Sequence, residues 1–320
     1  MRVVQVTEFG GPEVLTVVEA ADPVPGAGQV AVRASAVDVL FLDTQLREGW
    51  GQEYFATNPP YVPGNGVAGV VVSAGDGVDP SWLWREVVAS TANGGTYAEL
   101  AVVDETELLP VPDGLDPREA VALLHDGTTA MFLAEHARIE PGERVLVTGA
   151  AGGAASVLVQ LARAAGAQVV GAARGETKLN LVRELGGEPV DYATPDWAEQ
   201  VRKLTGGVDV VFDGVGGRLG RAAFEVANAG ARVYTYGAAS GGFAEIHPAE
   251  AQLRNVTVVG LLDVQPTPEE KKPVTGRALA EAAAGRIKPT IGQTFPLERA
   301  ADAHTAIAAR TTPGRTLLLP

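Results

Sequence analysis

Residues 144–178, RVLVTGAAGGAASVLVQLARAAGAQVVGAARGETK, decide the fold of this chain. They begin with a short apolar strand, pass through a bend of Gly and Ala, and continue with apolar residues at the spacing of a helix packed on one face. Gly166 closes that helix, and residues 168–173 predict a second buried strand. A strand, a helix and a strand within about thirty residues form a βαβ unit, whose two strands must be parallel.

The bend after the first strand has the composition of a dinucleotide-binding turn. Gly149, Gly152 and Ala155 follow one another at a spacing related to the glycine fingerprint, which permits Ala at its last position. Backbone N–H groups and the positive end of the helix dipole bind a pyrophosphate there if no side chain blocks its approach. The pattern therefore places a dinucleotide over Gly149, Ala150, Gly152 and Gly153. An ordinary tight turn without a ligand is the alternative.

The end of the second strand bears on the choice of nicotinamide cofactor. An NADH site usually places Asp or Glu about twenty residues beyond the glycines, where it accepts hydrogen bonds from the ribose 2′-hydroxyl. Residues 172–175 are Ala-Ala-Arg-Gly and contain no acid. Arg174 and Lys178 offer positive charge to a 2′-phosphate instead, whereas Glu176 is expected to favour the dipole of the next helix. The residues therefore favour NADPH over NADH.

Composition excludes several classes of protein. The 320-residue chain has a net charge of −14, which argues against nucleic acid as a partner. It contains no cysteine, so disulfides, thiolate nucleophiles and sulfur-ligated zinc are excluded. The N-terminus lacks the apolar core of a signal peptide, and no apolar run is long enough to span a bilayer. We expect a soluble, cytoplasmic protein with no membrane contact.

The pattern along the chain predicts two domains. Short β-rich segments separated by Gly and Pro turns predict a compact β-barrel in the first part of the chain, with one amphipathic segment at residues 39–47 and a loop at 50–61. From Asp116 onwards, helices alternate with strands, as in a doubly wound parallel sheet. The last strand, residues 315–319, is expected to return to the barrel.

Several further elements follow from the same pattern. A helix beginning at Pro195 is expected to bury Trp197, Val201 and Leu204. We assign residues 1–120 and 264–320 to the barrel domain and residues 121–263 to the parallel-sheet domain.

Short motifs link the chain to a known family. They include FGGPEVL at residues 9–15, PGNGVAGVV at 63–71, EPGERVLV at 140–147 and FDGVGG at 212–217. With these motifs the chain resembles the zinc-independent quinone oxidoreductases of the medium-chain dehydrogenase/reductase superfamily over nearly its whole length. The resemblance implies an α/β protein in which a GroES-like β-barrel domain accompanies a Rossmann domain that binds NADPH.

The resemblance also implies cofactor contacts. Members of the family grip the 2′-phosphate with a Lys, a Tyr and an Arg that match Lys178, Tyr192 and Arg310, although Arg310 could instead cap the end of its helix. Other cofactor-lining positions match Thr129, Val215, Gly237, Ala238 and Ser240. Ala238 stands where related enzymes often have Asn, so one hydrogen bond is expected to be missing.

The substrate side departs further from the family. Leu40 and its neighbours offer no amide where typical members carry Asn, and Gln45 replaces a Tyr. Asp43 matches the family, although a structural anchor is the favoured role for it. Asn65 stands where related dehydrogenases have an acidic or polar residue, and the alternative is a turn residue with positive φ. The aromatic side chains expected either to line a substrate pocket with Gln45 or to serve as packing are Trp50, Tyr54 and Tyr61.

The histidines do not suggest a metal site. Alcohol dehydrogenases of the superfamily bind zinc through Cys and His, and the four histidines of this chain lack ligand spacing. His136 and His304 are expected on the solvent side of their helices. His125 precedes the Asp-Gly-Thr-Thr segment near the expected nicotinamide and is the one histidine that could act as an acid or base.

The chemistry that remains is direct hydride delivery from NADPH to a small electron-poor molecule. Gln45 in place of Tyr tilts the choice towards a quinone, because a reduced quinone is a stabilised phenolate that can take its proton from water. An enone or enoyl reductase is the first alternative, and a cofactor-binding protein with little turnover is the second. The resemblance also implies a homodimer through the sheet edge at residues 256–261, where pairing would protect an open strand.

Overall fold

A computed structural model of the chain describes residues 1–53, 57–92 and 94–320. It divides into two compact units, the first comprising Met1–His125 with Leu279–Pro320 and the second comprising Asp126–Ala278. The second unit contains a parallel sheet with helices between its strands, and the strands of the first unit pair antiparallel except for one parallel pair near the C-terminus, so the expected α/β fold class is confirmed. Within the described ranges, no helix has the length and apolar character needed to cross a bilayer.

The N-terminal part of the first unit consists mainly of short strands. They are β1 (Arg2–Val6), β2 (Leu15–Glu19), β3 (Gln29–Val39), β4 (Gly66–Ala74), β5 (Glu86–Ser90), β6 (Leu100–Asp104) and β7 (Leu109–Pro110), with helix α1 (Phe41–Arg47) directly after β3 and helix α2 (Pro117–Ala137) at the end. Strand β3 pairs antiparallel with both β4 and β6, so it organises the sheet. Its valines, such as Val30 and Val32, are fully buried in the core of this unit.

The second unit alternates strands with helices. Its elements are β8 (Arg144–Thr148), α3 (Gly153–Ala164), β9 (Gln168–Ala173), α4 (Glu176–Glu184), β10 (Glu188–Asp191), α5 (Trp197–Thr205), β11 (Val208–Asp213), α6 (Gly217–Glu225), β12 (Ala227–Thr235), α7 (Pro248–Leu253) and β13 (Thr257–Gly260). The six strands are parallel in the order β10-β9-β8-β11-β12-β13. The predicted βαβ unit is therefore confirmed as β8-α3-β9.

The chain then ends in the first unit. The remaining elements are α8 (Pro268–Ala283), β14 (Ile291–Pro296), α9 (Ala300–Ala309) and β15 (Arg315–Leu319). Strand β15 pairs antiparallel with β3, which places Leu317 beside Asp38. The last strand therefore returns to the first sheet, as expected. Strand β14 has no counterpart among the expected elements, since its sequence IGQTFP contains both Gly and Pro and it lies at the end of its sheet, paired with the later strand β15.

Two local expectations were wrong. Leu204 is 52% exposed, because it lies on the last turn of α5 and Gly206 ends that helix in the left-handed conformation, with φ 73°. The helix itself begins at Trp197, with Asp196 as its N-cap, rather than at Pro195. Trp197 and Val201 do pack into the core of the second unit.

Candidate active site

The glycine bend lies between β8 and α3 and has the geometry of an anion-binding turn. Gly149 has φ 63°, a left-handed conformation that favours glycine, and its carbonyl accepts a 2.8 Å hydrogen bond from Gly152 N–H. Gly152 is the N-cap of α3 and carries no side chain that could occupy the helix end. Ala150 and Ala151 are buried and form the wall of the bend. Gly152 and Gly153 thus add no side chains of their own at the N-terminus of this twelve-residue helix.

The neighbouring strand ends converge on this bend. A Cβ atom on Gly149 would lie 3.1 Å from Val215 Cγ2, so the residue after β11 packs directly over the bend. Ser240 N–H donates a 2.8 Å hydrogen bond to the Val215 carbonyl, and Gly237 N–H donates to the carbonyl of Asp213. The structure therefore brings Gly149, Val215, Gly237 and Ser240 to one edge of the parallel sheet. Ligands of such sheets bind at the carboxyl ends of their strands.

Asp126 lies against the first turn of α3. A Cβ atom on Gly153 would collide with the Asp126 carboxylate, so any other residue at this position would have to displace that carboxylate. The carboxylate is half-buried and places a negative charge at the helix end where an anion would approach. Sequence reasoning did not single out Asp126.

A cationic cluster follows strands β9 and β10. The Arg174 guanidinium lies 5.8 Å from the centre of the Tyr192 ring. Lys178 lies in the first turn of α4, where its N–H donates to the Gly175 carbonyl. Glu176, the nearby acid, is ion-paired with Arg183 at 2.8 Å. The second unit thus gathers two cations and a phenol at the ends of adjacent strands.

Arg310 belongs to the first unit. It is the C-cap of α9 with φ 53°, and its guanidinium lies 5.2 Å from the centre of the Phe41 ring. Its side chain is exposed. A helix-capping position and a phosphate-binding role are both compatible with this placement. The proposed meeting of Arg310 with Lys178 and Tyr192 stays a prediction.

The remaining cofactor candidates lie in the second unit. Thr129 is half-buried on α2, three residues beyond Asp126. Ala238 follows β12, and its carbonyl accepts a 2.9 Å hydrogen bond from Gly241 N–H.

The first unit contains a buried chain of polar side chains that begins at Asp43. Asp43 Oδ2 accepts hydrogen bonds from Leu40 N–H at 2.8 Å and from the Tyr97 hydroxyl at 3.2 Å. The Tyr97 hydroxyl also lies 3.0 Å from His304 Nε2, and His304 Nδ1 lies 3.1 Å from Arg47 Nη1. A guanidinium can only donate, so Nδ1 must accept and Nε2 must carry the proton. The chain therefore donates from Arg47 through His304 and Tyr97 to Asp43.

Burial sets the protonation of this chain. Burial raises the pKa of Asp43 to about 7. The hydrogen bond from Leu40 N–H opposes this increase, and the negative charge of Asp38 adds to it. Burial, followed by the adjacent Arg47 guanidinium, lowers the pKa of His304 to about 3. His304 is therefore neutral at ordinary pH, in agreement with the hydrogen-bond directions. The expectation that His304 faces solvent was wrong, because its side chain is fully buried where α9 packs near Tyr97 and Arg47.

Asp38 is a second buried carboxylate in the same unit. Its side chain is 0% exposed, and neither of its oxygens meets hydrogen-bond geometry with any described residue. Burial raises its pKa to about 6, and the Arg315 charge and the nearby backbone N–H groups of Asp38 and Gly66, which are close but poorly aligned for hydrogen bonds, oppose that shift. Oδ2 of Asp38 lies 3.7 Å from His125 Nε2, and the His125 side chain is 24% exposed.

The expected pocket residues are spread along loops of the first unit. Gln45 is half-buried on α1, and its carbonyl accepts from Trp50 N–H, whereas the Trp50 side chain is 51% exposed. Tyr61 is half-buried, and its hydroxyl is buried without a hydrogen-bond partner among the described residues. Burial raises the pKa of Tyr61 to about 12. Tyr54 lies outside the described residues.

Asn65 precedes β4, and its carbonyl accepts a 2.8 Å hydrogen bond from Thr91 N–H. The alternative of a turn with positive φ at Asn65 was wrong, because Gly64 takes that conformation instead, with φ 92°. Over residues 1–53, 57–92 and 94–320, no group of three or more His, Asp or Glu side chains is arranged to hold a metal ion.

Comparison with known proteins places this geometry in a family. The alcohol dehydrogenase GroES-like domain matches residues 26–113, and the zinc-binding dehydrogenase domain matches residues 153–275. Quinone oxidoreductase of Rattus norvegicus is 33% identical over 314 residues, covering 96% of this chain and 94% of the relative. The chain belongs to the quinone oxidoreductase family. It is an oxidoreductase of the medium-chain dehydrogenase/reductase superfamily, and the resemblance seen in its sequence is confirmed.

Other members of the superfamily extend the comparison. Quinone oxidoreductase of Escherichia coli complexed with NADPH has a TM-score of 0.90 at 26% identity, with 100% of both chains covered. A mycobacterial protein complexed with NADPH has a TM-score of 0.89 at 32% identity, again with 100% of both chains covered. A 2-haloacrylate reductase of Burkholderia is 32% identical, covering 97% of this chain and 96% of the relative.

Sequence reasoning missed Asp38, Tyr97 and the role of His304. Asp38 left one signal, since it is a single charge between Val37 and Val39 in a strand that is otherwise apolar there. Tyr97 and His304 left none, because their contact joins residues 207 positions apart.

Proposed function

We propose that this protein is an NADPH-dependent oxidoreductase that delivers a hydride directly to a quinone, without zinc. The observation that carries the proposal is the glycine bend beside a cationic cluster. Gly149 and Gly152 add no side chain at the start of α3, while Arg174 and Lys178 follow β9, where residues 172–175 include no acid that could accept from a ribose hydroxyl. Relatives described as complexes with NADPH support the same cofactor.

The residues present fit this cofactor. A Cβ atom on Gly217, the first residue of α6, would lie 2.5 Å from Ser240 Oγ, so the turn after β11, like the glycine bend, leaves little room for a side chain. The backbone N–H groups of the bend would bind the pyrophosphate, and Arg174, Lys178 and Tyr192 would bind the 2′-phosphate. Bound NADPH supplies the hydride. The protein's own task is to orient the two reactants and to exclude water from them.

The donor set supports the absence of zinc from the mechanism. The chain has no cysteine, although its second unit matches a domain described as that of zinc-binding dehydrogenases. Without a metal to polarise an alcohol, hydride transfer to an electron-poor acceptor is the favoured direction. A quinone suits such a site because its reduced form is a stabilised phenolate.

A second candidate is the reduction of an activated carbon–carbon double bond. The similarity to a 2-haloacrylate reductase favours it, because that name describes an acceptor with a double bond next to a carboxylate. Gln45, in place of a tyrosine donor, favours the quinone.

Two further proposals concern assembly and location. Strand β13 pairs with β12 on one side and forms the edge of the six-stranded sheet. We propose that two copies of the chain join through this edge, since pairing would protect an open strand. We also propose a cytoplasmic location.

Oxidation of NADPH, followed at its absorbance with a quinone panel and an enone panel, tests the proposal. Turnover with quinones and a lower KM for NADPH than for NADH are expected. Turnover with enones alone would favour the second candidate. Cofactor binding without turnover on either panel would contradict an enzymatic role, and light scattering would test the dimer separately.

A further inference from the structure

Asp213, the last residue of β11, connects the ends of three neighbouring strands. Its Oδ1 accepts a 2.6 Å hydrogen bond from the Thr148 hydroxyl at the end of β8. Its carbonyl accepts hydrogen bonds from Tyr236 N–H at 3.0 Å and from Gly237 N–H at 3.2 Å, directly after β12. The strands β8, β11 and β12 are neighbours in the parallel sheet, so this one residue links their carboxyl ends.

The same carboxylate oxygen also shapes the turn that follows β11. It accepts hydrogen bonds from Val215 N–H and from Gly216 N–H, both at 3.1 Å. The Thr148 hydroxyl, which donates to this oxygen, accepts a 3.1 Å hydrogen bond from Gly214 N–H. Three consecutive N–H groups of the turn are therefore fixed against the end of β8, and Val215 packs over the glycine bend.

The carboxylate is buried at a cost that the turn alone does not explain. Asp213 is 1% exposed, and its Oδ2 has no hydrogen-bond partner among the described residues. Oδ2 faces the first turn of α6, because a Cβ atom on Gly220 would collide with it. Burial raises the pKa of this carboxyl, and the three hydrogen bonds to Oδ1 oppose the increase. A neutral Asn or Ser side chain can close a turn without a buried charge, and buried groups of this kind cluster at functional sites.

We propose that Asp213, held by Thr148, is a positioning residue for the nicotinamide half of the cofactor. A dinucleotide lies across the carboxyl ends of such a sheet, with one half on each side of the point where the strand order reverses. Arg174 and Lys178 follow β9 on one side of the bend, whereas Asp213 links β11 and β12 on the other. The half without the 2′-phosphate is therefore expected over the turn that Asp213 fixes. This inference rests on the NADPH binding of the proposed function.

The Thr148 hydroxyl gives the sharper test, because Asp213→Ala would leave a buried cavity and risks misfolding. Val has nearly the shape of Thr, so Thr148→Val removes only the hydroxyl, and Gly214 N–H loses its acceptor. The affinities for NADPH and for NADH, measured by fluorescence titration, should both fall about tenfold, with their ratio unchanged. Thr148→Ser, which keeps the hydroxyl, should bind both coenzymes as wild type does.

A probe without the nicotinamide half separates positioning from a general loosening of the unit. Adenosine 2′,5′-bisphosphate carries the 2′-phosphate but no nicotinamide, so its affinity, measured by calorimetry, should be equal in Thr148→Val and in wild type. Thr205→Val is the matched control, because this hydroxyl also donates to one carbonyl, that of Val201, and accepts from one N–H group, that of Gly207. It lies before the start of β11, so the control should bind NADPH as wild type does.

Two results would overturn the inference. Unchanged NADPH affinity in Thr148→Val would show that the hydroxyl does not position the cofactor. An equal loss of affinity for the bisphosphate would show that the variant loosens the whole unit. Because every readout is a binding equilibrium, a wild type that binds NADPH but turns over no acceptor would contradict the proposed function alone.

Discussion

Replacing Asp43 by Asn should remove a pH-dependent loss of stability from the first unit. Burial raises the pKa of this carboxyl from 3.8 to about 7. The folded protein therefore binds a proton that the unfolded chain releases, so stability is greatest below pH 3.8 and falls until the pH passes about 7. At 1.36 kcal/mol per unit, the shift corresponds to about 4 kcal/mol, an upper value because the charge of Asp38 contributes part of it.

Asn suits the test because Leu40 N–H and the Tyr97 hydroxyl both donate to the same oxygen of Asp43. An amide oxygen at that position can still accept from Leu40 N–H and from the Tyr97 hydroxyl. Urea unfolding between pH 4 and pH 8 should show nearly equal free energies of unfolding for the variant and wild type at the acid end. Relative to wild type, the free energy of unfolding of the variant should rise by up to about 1.4 kcal/mol per pH unit towards pH 7. For the control Asp113→Asn, the free energy of unfolding should follow the same pH dependence as in wild type. Parallel curves for Asp43→Asn would refute the reasoning.

Three predictions concern the cofactor. Replacing Lys178 and Arg310 together by Ala should lower the ratio of NADPH to NADH affinity at least about tenfold, because charge-assisted bonds to the 2′-phosphate are lost. The exposed Lys203→Ala is the control, and an unchanged ratio would contradict a shared phosphate site. Gly149→Val should weaken NADPH binding, measured by fluorescence titration, and destabilise the protein by roughly 1–2 kcal/mol. The reasons are that φ at this position is 63° and that the new Cβ atom would lie 3.1 Å from Val215 Cγ2. Normal binding and stability would show that the bend tolerates a side chain. Asp126→Asn should tighten NADPH binding about two- to fivefold at low salt, since a like charge leaves the end of α3. The gain should shrink as salt is added, and weaker binding would mean that the carboxylate contacts the cofactor instead.

Local signals were enough to predict the parallel-sheet unit. The strand β8, the bend and the helix α3 are encoded within consecutive residues, where apolar spacing and glycine leave few alternatives. The strand β15 was also predictable, since its apolar run stands alone at the end of the chain.

Features that depend on distant contacts could not be predicted in this way. Periodicity identifies the apolar face of a helix, but it does not show which polar side chains find hydrogen-bond partners on other segments. His304 was therefore placed on the solvent face, although Tyr97 and Arg47 bind it in the interior. Asp38 drew no attention because a charge in a strand usually marks an exposed face. The pairing of β14 depends on β15, which lies beyond a whole helix. The candidate phosphate contacts came from the end of strand β9 and from the family resemblance, whereas the polar interior of the first unit needed coordinates.

The donation order from Arg47 to Asp43 has a consequence for any attempt to redesign the barrel interior. Because a guanidinium can only donate, Arg47 fixes the tautomer of His304. That tautomer in turn fixes the direction of the Tyr97 O–H bond, which points to Asp43 Oδ2. In Arg47→Met, the His304–Tyr97 and Tyr97–Asp43 hydrogen bonds can reverse their directions. A flip of the His304 ring would then change the proton positions as far as Asp43, at the start of α1. A single cation thus fixes the proton positions along this chain, and replacing it would alter the hydrogen bonds of Tyr97 and Asp43 as well as that of His304.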